Sequence, residues 1–356
     1  MSVVIAVRDG AEYLPQAVES ILAQTLGDLE LLVVDDGSRD ATAEILAGYA
    51  RGDGRVRVIS SEPAGAAAAR NRAGREARAP ILATMDADDV ALPSRLELQV
   101  GLLQANPEVV VVGGAGVFVD ENGTELVRMR YTGDQARVTE LLESGQSPVI
   151  HPASCVRAQP FRAVGGYRPI FEVAYDYDLW LRLAKHGRIT NVPQTVLRYR
   201  VHPGQVSTRD LRRTAEETCA ALSSARARAR GEPDPLDEAD ALDADVLARL
   251  GVAPEEVAAR EVHYALWLAR MLAGGGRDAL AKPLWSAALD RAGETATARA
   301  TRARVLRARA DAGPSRPRSF GLRLLAAALD PRGVLVRRRL ARASAEVEEE
   351  DEEEGK

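Results

Sequence analysis

The chain opens by alternating short apolar runs with longer stretches in which apolar positions recur every three or four residues. Ser2 to Val7, Leu29 to Val34, Arg55 to Ser60 and Ile81 to Met85 are strand-length runs rich in valine, isoleucine and leucine. Between the first two, Leu14, Ala17, Val18, Ile21 and Leu22 keep the spacing of one helix face. A second helix follows the Asp35-Asp36 turn, with Asp40 as its N-cap and Ile45, Leu46 and Tyr49 pointing inward. A third runs from Ala64 to Ala77. This alternation predicts an α/β fold: a mostly parallel central sheet, helices on both faces, and polar strand ends gathered along one edge.

Beyond about residue 208 the pattern changes. The chain becomes rich in alanine and arginine, poor in β-branched runs, and punctuated by Gly231, Gly251, Gly274-Gly275-Gly276 and Gly293. Pro233-Asp234-Pro235 reads as a linker or loop. Val262, Ala265, Leu266, Ala269 and Leu272 keep helical spacing, and Leu280, Leu284 and Ala288 begin a following helix, so helical hairpins joined by glycine turns are expected. The predicted organisation is an α/β domain over 1–207, a helical region over 208–345 and an acidic tail over 346–356.

Several strand ends carry carboxylates. The Ile81 run stops at Asp86, Asp88 and Asp89, and the Leu29 run stops at Asp35, Asp36 and Gly37. Carboxylates this close repel one another unless a cation lies between them, and hard divalent cations prefer oxygen ligands. The carboxyl end of a parallel strand is also where open α/β sheets bind ligands. Taken singly, either cluster also fits a solvated turn. No Gly-x-Gly-x-x-Gly follows the first strand, which argues against a dinucleotide-binding enzyme.

Six segments occur in an order that resembles the family 2 glycosyltransferases of GT-A fold. They are the Ser2–Val7 strand, Val33-Val34-Asp35-Asp36-Gly37-Ser38, Ala69-Arg70-Asn71, Met85-Asp86-Ala87-Asp88-Asp89, Gly165-Gly166-Tyr167, and Tyr175-Asp176-Tyr177-Asp178-Leu179-Trp180-Leu181-Arg182, within roughly residues 1–205. Two positions depart from the family pattern. Ala6 replaces a usual proline, and Tyr175 stands where glutamate is common, which removes one carboxylate from the acceptor side.

The resemblance implies an inverting transferase that moves a sugar from a nucleotide diphosphate, UDP in the first instance, to a hydroxyl of a glycan, glycolipid or protein. It assigns Val7, Asp9 and Asp36 to the base and ribose, and Arg70 to the nucleotide. Asp86 falls to the ribose and, with Asp88, to Mg²⁺ or Mn²⁺; Asp89 orients its neighbours. Asp176 becomes the general base, with Asp178 as structural support. His202 either completes the metal shell or is a turn residue beside Pro203-Gly204. His151 and Arg157 are candidates for the acceptor groove, and Gly165-Gly166 for its close-approaching backbone.

Composition narrows the setting. Cys155 and Cys219 cannot form a disulfide framework, no signal peptide precedes the first strand, and no apolar run approaches the ~20 residues that span a bilayer. A cytoplasmic enzyme is expected, with polysaccharide biosynthesis as the setting the family implies. The net charge is −5, but residues 346–356 hold eight acids and one lysine, a net −7 that leaves +2 for the rest. Basic residues are not interleaved with aromatics, so nucleic acid is not an expected partner. From Arg316 to Arg342, basic residues bracket Leu322, Leu324, Leu325, Leu329, Val334 and Leu335. That pattern fits either a surface helix or a peripheral contact with an anionic membrane. Two other functions fit the α/β pattern less well. A nucleotidyltransferase needs a Gly- and Lys/Arg-rich phosphate loop where this chain has Arg8-Asp9-Gly10-Ala11-Glu12, and a non-catalytic binding module has no use for Asp176.

Overall fold

The computed structural model describes residues 1–202, 204–205 and 210–291. The basic stretch from Arg316 to Arg342 and the acidic end after Ala345 lie outside the described residues, as do Pro203 and Gly293. Two compact units divide at Val257 and Ala258.

The first unit is built on one nine-stranded sheet. Its early elements are β1 (Ser2–Val7), α1 (Leu14–Leu22), β2 (Glu30–Asp35), α2 (Thr42–Gly52), β3 (Val56–Ser60), α3 (Ala66–Glu76) and β4 (Ile81–Asp86). There follow β5 (Val90–Ala91), α4 (Arg95–Ala105), β6 (Val109–Val119), β7 (Glu125–Met129) and α5 (Gln135–Glu143). After a 3₁₀ turn at His151–Ala153 come β8 (Cys155–Arg157), α6 (Ala158–Ala163), α7 (Tyr175–Leu183), β9 (Arg188–Arg200), α8 (Leu211–Ala229) and α9 (Ala244–Arg249). The sheet order is β3-β2-β1-β4-β8-β6-β9-β5, with β7 paired to β6. Taking β1 as reference, β2, β3, β4, β6 and β9 run with it and β5, β7 and β8 against it. The sheet is therefore mostly parallel, as its alternating helices required.

Burial follows the patterning. Val3, Ile5, Leu31 to Val34, Ala83 and Met85 are fully buried, and α1 turns Leu14, Ala17, Val18 and Ile21 inward. Helix α2 begins after Ala41, one position beyond its expected start. Asp40 still serves that turn: its carboxylate accepts the N–H of Thr42 at 3.0 Å and that of Ala11 at 3.0 Å.

The unit does not stop at residue 207. Ala220, Ala221 and Leu222 of α8 share one core with Leu179, Trp180 and Leu183 of α7. The Pro233-Asp234-Pro235 turn is locked in place: Asp234 accepts from Arg168 at 2.7 Å, from the Ser224 hydroxyl at 2.7 Å and from the Leu236 N–H at 3.0 Å.

The second unit contains most of α10 (Pro254–Gly274) and α11 (Asp278–Arg291). The connection is the expected glycine turn, with Gly276 at φ +77°, a conformation that suits glycine. The buried face of α10 carries Val262, Ala265, Leu266, Ala269 and Leu272. On α11 the inward positions are Ala281, Trp285 and Ala288, while Leu280 is 48% exposed. Leu280, Leu284 and Ala288 do lie in a following helix, as expected, with only Ala288 of the three fully inward. The large Trp285 ring and small alanines set the face. Among the described residues, no helix is long and apolar enough to cross a membrane.

Candidate functional site

Parallel register brings the early carboxylates to one sheet edge. Val7 pairs with Asp35 across β1 and β2, and Ala6 pairs with Asp86 across β1 and β4. Val7 is buried, and its carbonyl accepts the Asp36 N–H at 2.9 Å. Asp36 is buried too; its carboxylate accepts the N–H groups of Ala64 at 2.8 Å and Gly65 at 2.9 Å, fixing the entry to α3. Asp9 has φ +52° and joins the two loops, its carboxylate taking the Arg39 N–H at 2.7 Å while its own N–H donates to Ser38 Oγ at 3.0 Å.

At the end of β4, carboxylate oxygens of Asp86, Asp88 and Asp89 lie within 4.8 Å of one another. Asp86 is paired with the buried Arg70 guanidinium at 2.5 Å. Asp88 meets His202 Nε2 at 3.0 Å, which places His202 at the cluster. Asp89 is fully buried: Oδ1 accepts the Arg200 N–H at 2.8 Å, and Oδ2 has no hydrogen-bond partner. Burial, with Asp88 and Asp86 close by, pushes its carboxyl well above the usual range.

Arg70 connects this edge to the opposite wall. Its Nη1 donates to the Tyr175 hydroxyl at 3.0 Å, and its guanidinium carbon lies 5.3 Å from the centre of that ring. Tyr175 opens α7, so Asp176 follows immediately. Asp176 is partly buried, and its Oδ1 accepts the Tyr177 N–H at 2.7 Å. Burial raises its carboxyl to about 6; the Tyr177 N–H opposes that shift and the Asp86 charge adds to it. Asp178 is different. It is fully buried, with Oδ2 bound to Arg182 Nε at 2.9 Å and Nη2 at 2.7 Å, and Oδ1 3.4 Å from Arg168.

Beneath Tyr175 lies an aromatic floor. His151 Nε2 is 2.9 Å from the Tyr167 hydroxyl, and its ring meets Tyr167 and Tyr175 edge-on at 5.6 and 5.4 Å. Burial, reinforced by Arg70, pushes the imidazole down to about 3, so it is neutral. Tyr167 is held by Asn71, which accepts its N–H at 2.8 Å and donates to its carbonyl at 2.7 Å. Gly166 makes this possible: at φ +70°, a Cβ there would stand 2.4 Å from Asn71 Oδ1.

Arg157 is not part of this wall. It pairs with Ile81 at the far end of β4, on the order of 16 Å along the strand from Asp86. Its guanidinium binds the carbonyls of Val109, Leu103 and Asn106 at 2.8, 2.6 and 3.2 Å. The expected groove residue is a strap for the α4–β6 connection.

Sequence reasoning missed three residues. Tyr175 looked like a lost carboxylate, yet its hydroxyl links Arg70 to α7. Arg200 supports the Asp88–Asp89 turn in two ways, its N–H binding Asp89 and its Nε donating to the Asp88 carbonyl at 2.8 Å, and its Nη2 ties that turn to Gln16 of α1 at 2.8 Å. Glu217, on α8, accepts the N–H groups of Glu172, Val173 and Ala174 at 2.9, 2.8 and 2.8 Å. Its one local signal is an acid beside the small and apolar run Thr218 to Leu222.

Comparison with known proteins bears on the chain's family and fold. Residues 2–164 match the family model described as Glycosyl transferase family 2, a span that includes Asp86 and Asp88 and ends before Asp176. The chain is 32% identical over 208 residues to the O-antigen biosynthesis glycosyltransferase WbnJ of Escherichia coli, covering 57% of this chain and 80% of that protein. An uncharacterized glycosyltransferase of Methanocaldococcus jannaschii is 30% identical over 205 residues, covering 56% of this chain and 70% of that protein. Among solved structures, S. aureus TarS 1-349 in complex with UDP-GlcNAc resembles the chain with a TM-score of 0.50 at 14% identity, over 78% of this chain and 87% of that one. At that identity the likeness concerns the fold alone.

Proposed function

The chain belongs to glycosyl transferase family 2 and is a glycosyltransferase; from that premise we propose that it is an inverting, metal-dependent enzyme using a UDP-sugar, with Asp176 as its general base. The observation that carries the reading is the Asp86–Arg70–Tyr175 link. It sets the carboxylate cluster of one wall against the first turn of α7 on the other, so a donor and an acceptor hydroxyl meet between them.

On the donor side, Val7, Asp9 and Asp36 form the edge that receives the base and ribose. An Asp36 oxygen retains lone pairs beyond those used by Ala64 and Gly65, and can accept the imide N–H of uracil. Arg70 is committed to Asp86 and Tyr175, so its charge acts on the diphosphate by fixing the Asp86 carboxylate. The three clustered oxygens, with the partnerless buried Asp89 Oδ2, fit a hard divalent cation. Asp86 and Asp88 would hold Mg²⁺ or Mn²⁺, with His202 orienting Asp88. When bound, the ion neutralises charge developing on the leaving diphosphate.

On the acceptor side, Asp176 takes the proton of the incoming hydroxyl as its oxygen attacks the anomeric carbon. A carboxyl raised to about 6 is ionised at neutral pH and is a stronger base than an ordinary aspartate. One base on the face opposite the leaving group supports a single displacement, hence inversion. The O-antigen role of the E. coli relative supports a sugar hydroxyl in polysaccharide assembly as the acceptor class.

The test is to incubate the full chain with UDP-GlcNAc and other UDP-sugars in Mn²⁺, and to follow UDP release. An α-linked donor should give the β product, read from the anomeric coupling in proton NMR. A product that keeps the α configuration would sink the single displacement.

A further inference from the structure

Helix α7 lacks a local cap. Its N-cap position is Ala174, buried and without a side-chain acceptor, so the leading N–H groups need a partner from elsewhere. The N–H of Ala174 finds Glu217 on α8, more than forty residues away, which also binds the N–H groups of Glu172 and Val173 in the segment entering the helix, while the Tyr177 N–H goes to Asp176 itself. Glu217 is fully buried, and its Oε1 is paired with Arg213 Nε at 2.8 Å. Arg213 is itself anchored by donating to the Leu242 carbonyl at 2.7 Å.

A buried carboxylate is strongly unfavourable unless its oxygens are fully engaged, and these are. Three charge-assisted bonds converge on three consecutive residues, the last of them two positions before Asp176. A serine or aspartate at position 174 would cap the helix, but Ala174 packs in the core with Phe171 and Tyr177. The remote carboxylate therefore does something a local cap cannot do here. It ties the start of α7 to α8 and leaves the cleft side of the first turn free for Asp176.

We propose that Glu217 is a positioning residue for the acceptor-side base, fixing the first turn of α7, and with it Asp176, from the helix beyond the sheet. The inference rests on the reading of Asp176 as the base. It also makes α8 part of the catalytic apparatus. Asp176 is faced by Asp86 from β4, Arg70 from α3, Tyr131 from the segment before α5, and its own neighbours Tyr167 and Tyr175. Moving the first turn changes its distance from all of them.

The test compares the full-length wild type with Glu217→Gln, which keeps the shape but loses the charge and one acceptor. Glu217→Asp keeps the charge but is one methylene shorter, and is read in the same way if the glutamine variant fails to fold. The first measurement needs no substrate: the ¹³C resonance of the Asp176 carboxyl, assigned by its loss in Asp176→Asn, is titrated. The wild-type midpoint is expected near 6, and the variants about one unit lower as the loosened turn admits water. The second measurement is UDP release from UDP-GlcNAc in Mn²⁺. Turnover should fall on the order of tenfold or more, with UDP affinity unchanged, since misplacing a reacting group acts on the chemical step. An unchanged Asp176 midpoint, or normal turnover in a variant that merely melts earlier, would overturn the proposal. If the wild type neither binds UDP nor hydrolyses UDP-GlcNAc, the donor reading fails, and the titration alone decides the role of Glu217.

Discussion

The wall formed by β1, β2 and β4 places its carboxylates largely by parallel register and loop N–H groups, with the buried Arg70 pairing Asp86, whereas the wall formed by α7 rests on a cluster of buried charges. On the first wall, parallel register aligns Val7, Asp35 and Asp86, and short loops close through N–H groups onto Asp9 and Asp36. On the second, Asp176 depends on a helix held by Asp178, Arg182 and Glu217, all removed from water, and by the partly buried Arg168. The first arrangement tolerates loss of a partly exposed carboxylate such as Asp88, because the ladder remains, although loss of Asp86 would strand the buried Arg70. The second does not, because each deletion strands a partner in the interior. Each experiment below bears on that contrast.

Asp176→Asn should show the largest effect. It keeps the side-chain shape and the oxygen that accepts the Tyr177 N–H, so UDP affinity should stay within about twofold. Turnover should fall by on the order of 10²–10⁴, the usual worth of a positioned base. Near-normal turnover would remove Asp176 from the chemistry.

Asp178→Ala tests the buried side of the same helix. Arg182 would lose its carboxylate in the interior, while the partly buried Arg168 keeps Asp234, and the expected loss of stability is about 3–5 kcal/mol. Denaturant titration of the variant would measure it. A loss under ~1 kcal/mol, the level of an exposed pair, would mean that α7 is held no more tightly than the strand ends.

Metal and nucleotide address the opposite wall. At UDP near 100 times its dissociation constant, with Mn²⁺, binding should add about 2.7 kcal/mol of stability, visible as a higher Tm. EDTA should abolish the gain, and Asp88→Asn should remove most of it while leaving the Tm of the free protein nearly unchanged. An equal gain in EDTA would exclude a cation from nucleotide binding.

The two walls also differ in how much of them can be read from the chain. Strand ends such as Val34-Asp35-Asp36-Gly37 and Met85-Asp86-Ala87-Asp88 stand out locally as apolar runs that end in acids, although each alone also fits a solvated turn. Parallel register then places them together without further information. The motif singled out Asp176 and named Asp178 as its support, but it did not point to Glu217 or Arg200. Glu217 lies beyond a change in composition that resembles a domain boundary, and Arg200 sits in a strand of ordinary appearance. The Tyr175 hydroxyl takes over a position where a charge was expected. The strap at Arg157 was misplaced for the same reason: its partners are carbonyls of a distant turn, which no side-chain pattern reveals.

The smallest effect is a pH dependence that belongs to one wall only. Burial holds the Asp176 carboxyl at about 6, so this group is protonated at a pH where an ordinary aspartate is still ionised. As the proposed base, it would work only when ionised. Turnover at saturating donor and metal should therefore be flat above about pH 7 and fall through pH 6. At pH 5 it should be about tenfold lower, losing a further tenfold with each unit below. UDP affinity should not follow the same curve, because Asp176 does not hold the nucleotide. The residual turnover of Asp176→Asn should lack the limb altogether. A limb that persists in that variant would assign the titration to the carboxylate cluster of β4, and the two walls would then share one proton-linked site.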